Sequence, residues 1–246
     1  MMNASRIINN NFLHHATFLQ SRTPSMQTLH GSGLSYADSG LSCDTFNILY
    51  ITDANTFNAA DFHKAVQHYN AKQFDFCVWI NEENLSSSVR NALENANLHE
   101  AGNEPGMIIY LDEYNAEGDI RKLNTLDDFA KLVAQNWQPP DQNVIEFYSK
   151  VKPTDAEYFA SYVDDEPVSV IELFPDTPTN AGIYSLYTLP GFRGKGIATN
   201  LMKHCLHHLK SKGYITATLQ AADDGLNIYK KLGFIPATRF YEFKQS

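Results

Sequence analysis

One stretch constrains this chain more than any other: Tyr187-Thr188-Leu189-Pro190-Gly191-Phe192-Arg193-Gly194-Lys195-Gly196-Ile197-Ala198-Thr199. Residues 183–189 are rich in β-branched, aromatic and aliphatic side chains, as a buried strand requires. After the glycines, Ile197, Leu201, Met202, Cys205, Leu206 and Leu209 recur at helical spacing and make one apolar face. Gly191, Gly194 and Gly196 stand between strand and helix, with Arg193 and Lys195 on either side of Gly194. Glycines at a helix start let successive backbone N–H groups converge, and the helix dipole adds positive potential there. The stretch predicts an anion site, and the anion it suits is a pyrophosphate held by main-chain amides.

Spacing narrows the ligand. A P-loop requires Gly-x-x-x-x-Gly-Lys-[Ser/Thr], but Leu189 occupies the first glycine position and Gly196 the last. The dinucleotide pattern Gly-x-Gly-x-x-Gly fails at Thr199. What remains is Arg193-x-x-Gly196-x-Ala198, directly after a strand that ends in Pro190. This resembles the coenzyme A pyrophosphate loop of the GNAT superfamily of acyl-CoA-dependent N-acetyltransferases. A second stretch, Leu226-Asn227-Ile228-Tyr229-Lys230-Lys231-Leu232-Gly233-Phe234, resembles that family's last helix and its Tyr-x-x-Leu-Gly-Phe ending. The two motifs stand in the family's order, about one βα unit apart.

Composition sets outer bounds. With 246 residues, 43% of them hydrophobic and 12% aromatic, the chain can bury a sizeable core in one large or two small domains. No apolar run approaches the roughly 18 residues of a membrane span. A net charge of −9 counts against nucleic-acid binding, which needs a basic surface. Cys43, Cys77 and Cys205 are too few and too scattered for a disulfide framework. They imply reduced thiols and a cytoplasmic location. His204 and His208 share a helix face, but no third ligand accompanies them; a solvated surface and no metal are expected. Cys205 falls on the apolar stripe, where packing is its expected role.

Along the chain, residues 8–22 read as an amphipathic helix. The order strand (45–51), helix (58–71), strand (74–80), helix (85–98), strand (107–111) then repeats the order found at the C-terminus. The polar segment 113–118 marks the boundary, giving domains 1–114 and 115–246. In the second, a strand at 119–123 precedes helices at 126–137 and 144–151, separated by Pro139-Pro140. Strands at 158–163 and 168–174 follow, joined by a tight turn. The expected fold class is α/β (α+β): a tandem GNAT-like fold whose mixed central sheet is flanked by helices. In the first half, the turn Thr52-Asp53-Ala54-Asn55-Thr56-Phe57-Asn58 has no glycine and no basic residue, so that half is expected to be a degenerate copy without coenzyme.

The resemblance also implies roles. Backbone groups of Leu186, Tyr187 and Thr188 would bind pantetheine and the acetyl oxygen, on a strand splayed from its neighbour. Arg193, Gly194, Lys195, Gly196, Ile197, Ala198 and Thr199 would hold the pyrophosphate of acetyl-CoA. Tyr229 aligns with the tyrosine that protonates the departing thiolate; a phenol with a pKa near 10 is protonated at neutral pH. Ala222 stands where many members carry a coenzyme-contacting asparagine. Glu172 shares a strand face with Val168 and Val170 and is the candidate base, acting directly or through water. The implied reaction is direct attack of a primary amine, on a small molecule or a peptide N-terminus, upon acetyl-CoA, with no metal, nucleic acid or membrane involved. A non-catalytic acyl-CoA-binding or regulatory module is the alternative. The acceptor, the oligomeric state and the use of longer acyl groups stay open.

Overall fold

The computed structural model describes residues 3–151 and 155–245. In chain order the elements are α1 (Ala4–Arg22), β1 (Gln27–Gly31), β2 (Leu34–Asp38), β3 (Ile48–Ile51), α2 (Ala59–Lys72), β4 (Cys77–Asn81), α3 (Ser87–Asn95) and β5 (Leu98–Tyr110). They continue as β6 (Asp119–Lys122), α4 (Asp127–Ala134), α5 (Gln142–Lys150), β7 (Glu157–Val163), β8 (Glu166–Pro175), β9 (Asn180–Thr188), α6 (Ile197–Ser211), β10 (Thr216–Gln220), α7 (Asp223–Leu232) and β11 (Ile235–Gln245). No helix among the described residues is long and apolar enough to cross a membrane.

The chain divides into two compact units, residues 1–106 with 236–246, and residues 107–235. The sequence put a single boundary at 113–118; the contacts divide at Gly106/Met107 and again at Ile235/Pro236. The last strand therefore belongs to the first unit, and the end of β5 to the second.

In the first unit the strand order is β1-β2-β3-β4-β11-β5. β11 runs antiparallel to β4, with Phe240 opposite Asn81. Phe62, Val66 and Tyr69 of α2 join Leu49, Ile51, Val78 and Ile80 in one core, where Tyr69 stacks on Phe76 at 4.7 Å. On the other face, Phe12 of α1 packs against Tyr50, Trp79 and Phe240. The alternation of strand side chains dictates this division, since neighbours in sequence point to opposite faces.

In the second unit the order is β5-β10-β9-β8-β7-β6. β6 to β9 pair antiparallel, and β9 pairs parallel with β10 through the crossover helix α6. Asp164 and Asp165 turn the β7–β8 hairpin with φ of 53° and 62°, the left-handed pair a two-residue hairpin needs. Two neighbours on β7 show what covers each face. Tyr158 meets Phe129 of α4, whereas Phe159 meets His204 and His208 of α6. Helices α4 and α5 cover one face, with Phe129 edge-on to Tyr148; α6 covers the other through Leu201, Met202, Cys205, Leu206 and Leu209.

His204 and His208 are thus half-buried against Phe159, while His207 stays exposed. Burial, with the charges of His208 and His207, holds the pKa of His204 below its ordinary value. His208 Nε2 lies 3.0 Å from Glu157. No group of three metal-ligating side chains gathers among the described residues. Burial pushes the Cys205 thiol well up, which keeps it from being a nucleophile.

Candidate active site

The site grows out of an irregularity in β9. Pairing with β10 runs from Asn180 to Gly182 and stops. On the other edge, Val170 faces Tyr187 and Glu172 faces Tyr184, so Ser185 and Leu186 together oppose Ile171 alone. Ser185 accommodates the extra residue at φ 53°, a left-handed conformation uncommon for a non-glycine residue. Such a bulge bends a strand and raises its twist. Past Gly182, β9 runs on without β10 beside it, and the groups facing the gap are released from the sheet.

A cleft of about 930 Å³ opens there, walled by the end of β9, the glycine loop and the starts of α6 and α7. Leu186, Tyr187, Thr188, Arg193, Gly194, Gly196, Ile197, Ala198, Thr199 and Tyr229 all line it. Lys195 does not; its ammonium lies over the Phe192 ring, 5.1 Å from the centroid. Gly194 and Gly196 have φ of 75° and 80°, and a β-carbon at either would meet nothing within 4 Å. Their need for glycine is one of backbone conformation, and the space above them is open. Gly196 caps α6 with no side-chain hydrogen bond, so the first amides of the helix depend on some other acceptor.

Arg193 is held in place from two sides. Its Nε donates to the carbonyl oxygen of Thr188 at 3.0 Å, and its guanidinium lies 5.5 Å from the centre of the Tyr187 ring. Thr188 is fixed in turn by the Ser169 hydroxyl, 2.8 Å from its own. The Tyr187 hydroxyl donates to Gln135 O at 2.9 Å, which brings the next residue, Asn136, to the cleft wall. Across the cleft, α7 begins at Ala222, again without a side-chain cap, and presents Asp223 and Asp224 in its first turn. Tyr229, buried in the same helix, packs edge-on to Phe234 with ring centres 5.9 Å apart.

Glu172 is not brought into this cleft. It is fully buried in β8, on the face covered by α4 and α5, where its Oε1 accepts from the Tyr158 hydroxyl at 3.3 Å. Burial, then the nearby Glu172 charge, pushes both Tyr158 and Tyr148 above the ordinary tyrosine range. A hydrogen bond between Tyr148 and the Ser185 side chain links this buried group to the bulge.

The first unit treats its corresponding turn differently. Asn58 caps α2, accepting from the amides of Ala60 at 2.8 Å and Asp61 at 3.2 Å. Asp53 takes the amide of Asn55 and the hydroxyl of Thr56. The amides that an anion would need are already occupied, and two carboxylates stand beside them.

Residues that the sequence did not single out are Asn136, Phe192, Asp223, Asp224, Gly225 and Ile228. Phe192 lies inside the glycine loop and could have been read there. Asn136 follows α4 some fifty residues upstream, and no local pattern announces it.

Residues 120–234 match the family model described as "Acetyltransferase (GNAT) family". No curated protein matches the chain in sequence. Among solved structures, a GCN5-related N-acetyltransferase from Kribbella flavida superposes with a TM-score of 0.73 at 14% identity, covering 100% of this chain and 96% of that one. A tandem GNAT protein from the clavulanic acid biosynthesis pathway gives 0.59 at 12% identity, over 90% of this chain and 83% of its own. A GCN5-related N-acetyltransferase from Sphaerobacter thermophilus gives 0.57 at 14% identity, over 87% and 81%. At these identities the structures speak for the fold, which is the tandem GNAT-like one. A splayed strand, a glycine-rich helix start and the matching sequence pattern coincide in one segment, and that segment lies within residues 120–234, the stretch that matches the acetyltransferase (GNAT) family model.

Proposed function

We propose that the second unit transfers an acetyl group from acetyl-CoA to a primary amine, on a small molecule or a peptide N-terminus, by direct attack. The observation that carries this reading is the cleft: uncapped amides at the start of α6, two left-handed glycines and Arg193 meet at one end, and Tyr229 lines the same space. These features suit a pyrophosphate, because the donors are main-chain groups and no β-carbon fills the space above the glycines. Acetyl-CoA, when bound, supplies a thioester whose carbonyl carbon accepts the amine. Leu186, Tyr187 and Thr188 contribute backbone groups where β9 has left β10, and Arg193 and the 194–199 segment, Lys195 included, hold the phosphates. Tyr229 gives its phenolic proton to the departing sulfur.

Glu172 enters the proposal differently from Tyr229. Its carboxylate is buried away from the cleft wall, so we assign it no contact with the amine. The amine enters already deprotonated and releases its proton to solvent, while Glu172 holds Tyr158 behind the bulge. The first unit, with its amides capped by Asn58, serves as a degenerate copy that binds no coenzyme. Three free, buried cysteines suit the reducing cytoplasm.

Two measurements test the reading together. Calorimetry with acetyl-CoA should give one site per chain, and a panel of primary amines and peptide N-termini should release thiol in step with acetylated product. Tight binding without thiol release from any member would favour a non-catalytic acyl-CoA-binding module instead.

A further inference from the structure

Gly225 stands one helical turn before Tyr229 in α7, and both line the cleft. Long side chains on a helix lean toward its N-terminus, over the residue four positions earlier. Tyr229 does so closely. A β-carbon built on Gly225 would lie 2.7 Å from Cε2 of Tyr229, 2.9 Å from Cζ and 2.9 Å from the hydroxyl oxygen. Gly225 is not among the glycines with positive φ, so its backbone could carry any residue. Alanine is also the better helix former. What excludes a side chain here is the phenol itself.

We propose that Gly225 is a positioning residue for Tyr229: the missing side chain is the seat of the ring, and it sets where the hydroxyl stands in the cleft. The inference rests on the reading of Tyr229 as the acid. Restoring ordinary contact, near 3.4 Å, would drive the ring back by about 0.7 Å. The ring cannot swing away freely, because it is buried and packed on Phe234. A displacement approaching 1 Å at a reacting group can cost on the order of 100-fold in rate. Gly225→Ala should therefore lower kcat by about 10- to 100-fold. Acetyl-CoA affinity should hold, because the change falls on proton delivery rather than on phosphate binding.

The test uses the full chain in six forms: wild type, G225A, Y229F, Y229L, G225A/Y229F and G225A/Y229L. Thermal melts read the contact without reference to activity. G225A should lower the melting temperature in the wild-type and Y229F backgrounds, where the ring remains, and not in the Y229L background. Thiol release from acetyl-CoA with an active amine reads the role. G225A should lose kcat while keeping its coenzyme Kd, and G225A/Y229F should turn over no more slowly than Y229F. An equal melting penalty in Y229L, or wild-type kcat in G225A, overturns the proposal. If G225A alone does not fold, G225A/Y229L decides: folded, it supports the seat; unfolded, it overturns it. If Y229F itself turns over like the wild type, the acid assignment fails and the positioning role with it. A slow Y229F beside a fast G225A defeats this inference only.

Discussion

Arg193 donates from Nε to the carbonyl oxygen of Thr188 at 3.0 Å, tying the glycine loop back to the strand it leaves. The bond uses the guanidinium's side nitrogen and lays its plane near the Tyr187 ring. Lysine can supply the charge but neither the fork nor the flat face. Arg193→Lys should weaken acetyl-CoA binding about fivefold to tenfold, near the net worth of one ordinary hydrogen bond, since the charge itself is kept. The fold should be unaffected, since the side chain is half exposed. Calorimetry on the two proteins checks this, and equal affinities would remove Arg193 from the phosphate site.

A second expectation concerns the loop backbone. Gly196 sits at φ 80° as the cap of α6, so a side chain there is strained and, if acidic, faces the anion directly. Gly196→Glu should abolish measurable acetyl-CoA binding, with only a modest fall in melting temperature. A variant that folds and binds normally would show that the helix start holds no phosphate.

Tyr229→Phe removes one hydroxyl and keeps the ring that packs on Phe234. General acid catalysis contributes typically 10²–10⁴-fold, so kcat should fall within that range. Coenzyme affinity should stay the same, because the lost interaction strengthens only as the thiolate departs. Steady-state thiol release beside a thermal melt gives the answer. A normal melt with undiminished turnover would leave the proton to water.

Glu172→Gln separates buried support from base catalysis. With the carboxylate outside the cleft wall, kcat/KM should rise with pH through the amine's own pKa in both proteins, without a change of shape. Loss of an acidic limb in the variant alone would restore Glu172 as the base.

The loop and the last helix were readable because their requirements are local. A chain that turns from strand to helix through φ of 75° and 80° needs glycine at those places whatever surrounds it. The face of α6 marked by Leu201, Cys205 and Leu209 likewise follows from helical period alone. The buried state of Glu172 was not readable, because α4 and α5 decide it from some thirty residues away. The first half of β5 was missed for the same reason: His99, Glu100, Gly102, Asn103 and Pro105 carry no strand signal, and pairing imposes the conformation. The partial burial of His204 and His208 was equally unreadable, because Phe159, some fifty residues away in sequence, supplies the ring they pack on.

Stability should depend on pH through Glu157. Burial alone would raise its carboxyl, but hydrogen bonds from Lys122, Lys212 and His208 outweigh it and lower the pKa from 4.5 to about 2. A group whose folded pKa is depressed stabilises the fold above its unfolded value. That contribution is lost as the pH falls from about 4.5 toward 2. Because both lysines are about half exposed, screening discounts the gain to about 1–2 kcal/mol. Glu157→Gln should melt lower than the wild type at pH 7, and the gap should close toward pH 2. A gap that persists in acid would assign the loss to packing.

The place of β11 bears on how the protein comes into being on the ribosome. Its partner in β4 lies about 160 positions earlier, Phe240 against Asn81, and β11 stands between β4 and β5 in the interior of the first unit's sheet. At synthesis rates of about 5–20 residues per second, the leading half of the nascent chain waits several seconds with that slot empty. It must pass the exit tunnel with two unpaired strand edges, a state that recruits chaperones and invites mispairing. Vectorial folding, in which the first domain finishes before the second begins, is closed to this chain. A stop codon just after Phe234 would remove an interior strand from a unit whose other strands were made long before.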